Sequence, residues 1–261
     1  MYIRPVHAEL NIPALHQFIR ENPLGLFTTS IAHPKNATIQ TTHIPFVLDS
    51  PSDASDESNK GVLRAHIARA NPQSKSIIDS LSQNGSESDL LEEEVLVLFN
   101  SPVHSYVTPK FYVETKPKDG KVVPTWDYAA VQVYGKSRIY YKNTPETSEF
   151  LQKQVEELSL QNEQQFIDKN KGTREGSKPW KVSDAPTKYV DLLKKAIIGI
   201  EIKIERIEGR FKLSQESNDG DWNGVVEGYR SLKTEEGEKM ADLVEGRGTE
   251  RTSKKGVCPI S

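Results

Sequence analysis

Cysteine is almost absent: Cys258 is the single one in 261 residues. No internal disulfide can form, so a reducing, intracellular compartment is the expectation. Cys258 itself reads as a tail thiol. Long apolar runs are also missing. Nothing approaches the ~18 apolar residues of a membrane span, and the start MYIRPVHAEL lacks the apolar core of a secretory signal. The expectation is a cytoplasmic protein, with the nucleus left open, and no membrane partner. Six histidines are scattered without a Cys or His-x-x-His companion, which excludes zinc. There is no Gly-rich dinucleotide fingerprint or P-loop, no Ser-His-Asp order and no paired-carboxylate motif. Positive charge is not in excess either. The net charge is -3 and the pI near 6.1. With no basic recognition helix, direct DNA binding gets no support.

What is there centres on Glu94 to Tyr141, EVLVLFNSPVHSYVTPKFYVETKPKDGKVVPTWDYAAVQVYGKSRIYY. Val95 to Phe99 reads as a buried strand ended by Asn100-Ser101-Pro102. Val103 to Tyr112 reads as a second extended segment, and Glu114 to Lys121 as a surface turn. Ala129 to Tyr141 is a long alternating strand. A core strand needs Val and Leu but not His, Tyr, Thr, Trp and Asp together, and that surplus points to a ligand site.

Elsewhere, apolar residues at helical spacing predict a helix over Glu9 to Glu21 that ends at Asn22-Pro23. Leu24 to Ser30 and Ala37 to Leu48 predict a hairpin. Pro45 cannot donate to a ladder, so an edge or a bulge is expected there. Gly61 to Ala68 is a strand, and Asn71-Pro72 caps a helix to about Gln83. Further helices are expected over Glu146 to Ile167, Thr187 to Lys195, Asp221 to Leu232 and Glu235 to Leu243. Ala196 to Glu205 alternates as a strand. Residues 1–232 form one domain, with polar inserts near 49–60, 84–93 and 168–179. Residues 233–261 are a short helix and a polar tail. Six or seven strands with appended helices favour an α+β antiparallel barrel over a doubly wound sheet.

Four segments carry candidate chemistry. Arg69-Ala70-Asn71-Pro72-Gln73 delivers an arginine and amides to a helix start, which suits a phosphate or merely caps a helix. Thr41-Thr42-His43-Ile44-Pro45 offers small hydroxyls to a planar polar ring, or fills a strand. Trp126 and Tyr128 share a strand face opposite Asp127, and such aromatics wall a flat cofactor or pack a dimer. Arg210, Lys212 and Gln215 are donors at a strand end. No nucleophile or acid/base pair emerges; a site for something flat and anionic does.

The start MYIRPVHAE, the strand TTHIPF, and the blocks HIARANPQ, PTWDYAAVQVYG and AIIGIEIKIERIEGRFKLSQ follow in that order. Together, over residues 1–232, they resemble the PaiB-type FMN-binding negative transcriptional regulator family of the FMN-binding split β-barrel superfamily. The resemblance implies a six-stranded antiparallel split β-barrel with peripheral helices. It also implies a homodimer, with FMN at its interface. It sets Thr41, Thr42, His43 and Ile44 along the isoalloxazine, and His66, Arg69, Asn71 and Gln73 near the ribityl phosphate. Thr125, Trp126 and Tyr128 close the site, from the partner subunit in one version, with Lys212 and Gln215 at its rim. Two positions depart from the pattern. Asp127 stands where members commonly have Asn, which is unfavourable beside a reduced flavin unless the carboxylate points away or is paired. Ser74 stands where many have Trp. The implied activity is flavin-dependent redox chemistry on a small molecule. The alternatives are a non-enzymatic transcriptional regulator, or a haem-type flat-ligand binder with His43, His66 or His104 as the axial ligand.

Overall fold

The structure, a computed structural model, describes residues 1–51, 59–83, 89–170 and 178–254. The central parts of the three polar inserts and Cys258 lie outside the described residues. The chain forms two compact units. A central unit comprises Ile12–Phe99 and Gln132–Ile207. A terminal unit comprises Met1–Asn11, Asn100–Val131 and Glu208–Ser261.

The elements in chain order are β1 (Ala8–Glu9), α1 (Ile12–Glu21), β2 (Leu24–Ser30), β3 (Ile39–Pro45), β4 (Val47–Asp49), β5 (Val62–Ala68), α2 (Pro72–Gln83), β6 (Val95–Asn100), β7 (Ser105–Val107), α3 (Thr115–Asp119), β8 (Thr125–Tyr140), α4 (Pro145–Lys169), α5 (Thr187–Lys195), β9 (Ile197–Lys212), α6 (Asp219–Arg230) and α7 (Glu235–Lys254).

In the central unit the sheet runs β3-β2-β6-β8-β9-β5-β4, so β3 and β4 end the path. The pairs β2–β3, β2–β6, β4–β5 and β5–β9 are antiparallel. The α+β class and the antiparallel pairing are as expected, but there are nine strands among the described residues rather than six. One extra strand comes from Pro45. With no N–H there, the next amide, Phe46, donates to Pro23 O at 2.9 Å, and the expected single strand breaks into β3 and β4. The other two are the very short β1 and β7.

Alternation in these strands puts Phe27, Phe99, Leu63, Ile198 and Ile200 fully inside. Each buried side chain of this size stabilises by ~1.5–3 kcal/mol. Gly135 marks a close approach of β8 to β9: a Cβ there would lie 2.0 Å from Lys203 O. Arg64, on β5, is buried and pairs with Asp49 at the end of β4 and with Glu157 of α4.

In the terminal unit β1 pairs with the end of β9, and β7 with the start of β8, both antiparallel. Val103 to Tyr112 holds only three strand residues. Thr108 caps a 3-10 turn at Pro109–Phe111, accepting from Lys110 N, and this ends the extended run. Helices α6 and α7 bury Val225, Val226, Tyr229, Met240, Ala241 and Val244 against Val107 and Leu213. Helix α7 runs to Lys254, beyond the expected end at Leu243. A buried ion pair, Arg247 Nη1 to Glu9 Oε2 at 2.6 Å, anchors its later turns where apolar residues run out.

Candidate functional site

Two groups of the expected residues lie in the central unit. On β3 the alternation exposes Thr41 and His43, half-buries Thr42 and buries Ile44. Thr41 lies opposite Thr28 on β2, their hydroxyls 2.9 Å apart. Thr42 points inward and accepts from Asn71 Nδ2 at 3.1 Å. That bond ties the TTHIPF strand to the start of α2.

Asn71 is also the expected cap: its Oδ1 accepts from Gln73 N at 2.8 Å. Gln73 is 1% exposed, and its amide nitrogen donates to Phe27 O, Thr29 Oγ1 and Gln40 O, each at 3.1 Å. It therefore latches α2 onto β2 and the segment entering β3. Its Oε1 is buried without a hydrogen bond. Ser74 is fully buried and bonds Ala68 O at 2.8 Å. His66 lies opposite Gly199 on β9, with Nδ1 buried and unbonded. Burial pushes its pKa down, so the ring is neutral at pH 7.

Arg69 leaves this group. Its N–H ends the β5–β9 ladder on Ala196 O, and Nη2 donates to Tyr141 O at 2.7 Å. The guanidinium lines a cavity of about 660 Å³ with Lys142, Thr144, Lys194 and Lys195, and no other expected site residue lines it. The residues expected around one phosphate are thus divided. Arg69 joins a cationic cavity, while Asn71 and Gln73 brace the β2–β3 hairpin.

In the terminal unit, the β7–β8 register sets Tyr106 opposite Trp126 and Val107 opposite Thr125. Trp126 and Tyr106 are each 48% exposed, with ring centroids 6.2 Å apart. The Trp126 Nε1–H donates to His104 Nδ1 at 3.3 Å, which fixes the indole's direction. Thr125 and Tyr128 are half-buried, and the Arg210 guanidinium lies 5.5 Å from the Tyr128 ring centre.

Asp127 points the other way and is fully buried. Its Oδ2 accepts from Ser214 Oγ at 2.8 Å, and Lys212 Nζ stands 3.7 Å from Oδ1. The condition for an acidic residue here, to point away and be paired, is met within this unit. Burial pushes its pKa up to about 6 against the favourable pull of Ser214 and Lys212.

Lys212 and Gln215 are 9% and 8% exposed. Lys212 Nζ donates to Trp126 O at 3.1 Å and stands 3.5 Å from Glu216 Oε1. Gln215 Oε1 accepts from Leu213 N at 2.6 Å and its amide nitrogen donates to Phe211 O. Both side chains are committed inside the unit rather than directed to a rim. Glu216 Oε2 meets His7 Nε2 at 3.0 Å. Burial opposes the Glu216 charge, yet His7 and Lys212 hold its pKa down at about 2.

His7, Ser214 and Glu216, and likewise Lys142, Lys194 and Lys195, were not singled out by motif. No signal short of the tertiary pairing could have found them. Among the described residues no cluster of His, Cys, Asp or Glu could hold a metal ion. No helix among them is long and apolar enough to cross a membrane.

The donor set fits FMN: cations around a cavity suit its phosphate, and the open hydroxyl-bearing face of β3 suits a flat polar ring. Comparison with known proteins agrees. Residues 1–206 match the family described as "Putative FMN-binding domain", and the chain belongs to that family, whose cofactor is FMN. The chain is 53% identical over 258 residues to an uncharacterised protein of Emericella nidulans, covering 97% of this chain and 100% of that one. It is 27% identical over 247 residues to the protease synthase and sporulation protein PAI 2 of Bacillus subtilis, covering 95% and 98%. The resemblance read from the ordered motifs is borne out. Among solved structures, the flavocytochrome Anf3 from Azotobacter vinelandii aligns at 9% identity with a TM-score of 0.40, covering 85% of this chain and 78% of that one.

Proposed function

We propose that this chain is a cytoplasmic FMN-binding homodimer that places a flavin for redox chemistry on a small molecule. The observation that carries the reading is the Asn71–Thr42 bond, which joins two of the family's motif segments into one surface. In this reading the isoalloxazine lies along β3, over Thr41 and His43, with Thr42 and Ile44 shaping the strand beneath. Arg69 takes the ribityl phosphate. Asn71 and Gln73 act through the hairpin they brace, and His66 adds a neutral ring on β5. Thr125, Trp126 and Tyr128 of a second copy close over the ring. Lys212 and Gln215 hold that aromatic face from inside. FMN, when bound, supplies the electron transfer; the chain binds and orients it and keeps its surroundings neutral. Direct DNA contact is no part of the reading, which fits the net charge of -3.

The test is the visible spectrum of freshly purified protein, then FMN titration followed by flavin fluorescence. A flavin band or saturable one-to-one quenching is expected, with Arg69→Ala weakening it at least tenfold. A colourless protein that ignores FMN overturns the flavin reading, and a Soret band would replace it with the haem alternative. Sedimentation checks the dimer. Retention of a defined duplex in a salt titration would contradict the exclusion of DNA.

A further inference from the structure

The cavity beside Arg69 is more cationic than a single phosphate-binding arginine requires. Arg69, Lys142, Lys194 and Lys195 face it, against one lining carboxylate, Asp191. Asp89 adds a second negative charge from outside, paired with Lys142 at 2.7 Å. Four cations against two carboxylates stand out in a chain whose overall charge is -3.

The lysines are drawn from two places. Lys142 follows β8, and Lys194 and Lys195 end α5, just before β9. The Arg69 N–H to Ala196 O bond, 2.8 Å, pulls the end of α5 against the end of β5. Lys194 is held by Gln152 Oε1 at 2.8 Å and by Asp191 at 3.1 Å, so its ammonium is already oriented. Lys195 is exposed.

The start of α4 adds little. Pro145 has no N–H, the Thr147 N–H is capped by Thr144 Oγ1 and the Ser148 N–H goes to Thr144 O. The attraction for an anion rests on side-chain cations. Beyond Lys194 the neighbouring groove is lined by Glu149, Glu156 and Glu157, so the cationic character stops there.

We propose that this cavity is a phosphoryl-group site, built by Arg69, Lys142, Lys194 and Lys195, that takes the phosphate monoester of a small molecule. A dianion answers several converging cations better than a carboxylate does, and Arg with Lys is the pairing that phosphate favours. A volume of about 660 Å³ lies within the range that holds whole small ligands, not a bare ion alone. The site stands without the flavin reading; that reading bears only on whose phosphate fills it, the one on FMN or the one on another phosphorylated metabolite.

The experiment is calorimetric titration of the full-length protein with inorganic phosphate, FMN and riboflavin at fixed ionic strength. Lys194→Gln, Lys195→Glu and Lys153→Ala are the variants. Lys153 lines the neighbouring groove and not this cavity. Saturable phosphate binding is expected. Lys195→Glu should weaken it at least tenfold, Lys194→Gln severalfold, and Lys153→Ala not at all. If the phosphate is that of FMN, the same two substitutions weaken FMN and spare riboflavin. If FMN affinity holds while phosphate affinity falls, the site serves another phosphorylated molecule, and the proposal stands. Absent phosphate binding overturns it, even where FMN binds normally. So does equal loss of FMN and riboflavin, or an equal effect of Lys153→Ala. A failed flavin reading looks different: neither flavin binds while phosphate still does. Should Lys194→Gln loosen α5 from α4, the exposed Lys195→Glu keeps the test intact.

Discussion

Two clusters in this molecule each set one cation against two carboxylates, and they behave in opposite ways. In the central unit Arg64 is buried, but Asp49 and Glu157 remain 45% and 41% exposed. The guanidinium bonds both Asp49 oxygens at 2.5 and 2.8 Å, and Gln154 Oε1 at 3.3 Å. Burial works against its charge, but the bonds from Asp49 and Glu157 outweigh it and push its pKa up. In the terminal unit the carboxylate is what is buried. Asp127 has no exposed surface, and Lys212 reaches it only at 3.7 Å while also serving Glu216 and Trp126 O. Asp127 Oδ1 and His7 Nδ1 are left without hydrogen bonds. Water on the anions makes the first cluster a stable tie. The second, whose anion has lost its water, responds to pH.

Removing Arg64 should break this comparison most severely. Arg64→Ala leaves two carboxylates and Gln154 without their shared donor, and a loss of about 3 kcal/mol in urea unfolding is expected. A loss below 1 kcal/mol would mean the cluster is no tie.

Next is Asp127→Asn. Folded Asp127 titrates at about 6 against an ordinary 3.8, so between these values the folded chain binds more protons than the unfolded one. Stability from this group is present at low pH and falls as pH rises from about 4 to about 6. The change is on the order of 3 kcal/mol for a shift of this size. Glu216 works the other way: its stabilisation is present above 4.5 and is lost as pH falls toward about 2. Melting temperature against pH should therefore decline from about 4 to 6 in the wild type and flatten over that window in Asp127→Asn. A decline that survives the substitution assigns it elsewhere.

The smallest effect is expected from Lys153→Ala. Lys153 pairs with the same Glu157 but from the surface, at 4.0 Å, and should cost below about 0.5 kcal/mol. A larger cost would show that Glu157 is held by its helix neighbour and not by Arg64.

Local signals were readable from the sequence; convergences were not. Asn71-Pro72 predicts the start of α2, and Pro72–Gln83 is the helix observed, because a cap and a first-turn proline act on adjacent residues. The inward and outward faces of β3 and of Trp126-Asp127-Tyr128 follow from strand alternation alone. The break after Pro45 was half legible: the missing donor was visible, but not that Phe46 N would find Pro23 O. At the site, motif order identified the family, yet not that Arg69 and Asn71, two residues apart, would serve different networks. Nor could spacing join His7 to Glu216, 209 positions away, or Lys142 to Lys195, since only the closed sheet brings them near.

The Arg247–Glu9 pair bears on how the protein is made. Its partners are 238 residues apart and both are buried. The terminal unit is assembled from three separated lengths of chain, the first of them within eleven residues of the start. On the ribosome, β1 and Glu9 emerge early and wait for Arg247 until nearly all of the chain has been translated. Contacts of such sequence separation close slowly. Throughout that interval Glu9 lacks the guanidinium that neutralises it in the folded unit. A nascent chain halted before Arg247 should thus carry an unfinished terminal unit, and quality-control proteases would have a basis for telling it from the completed protein.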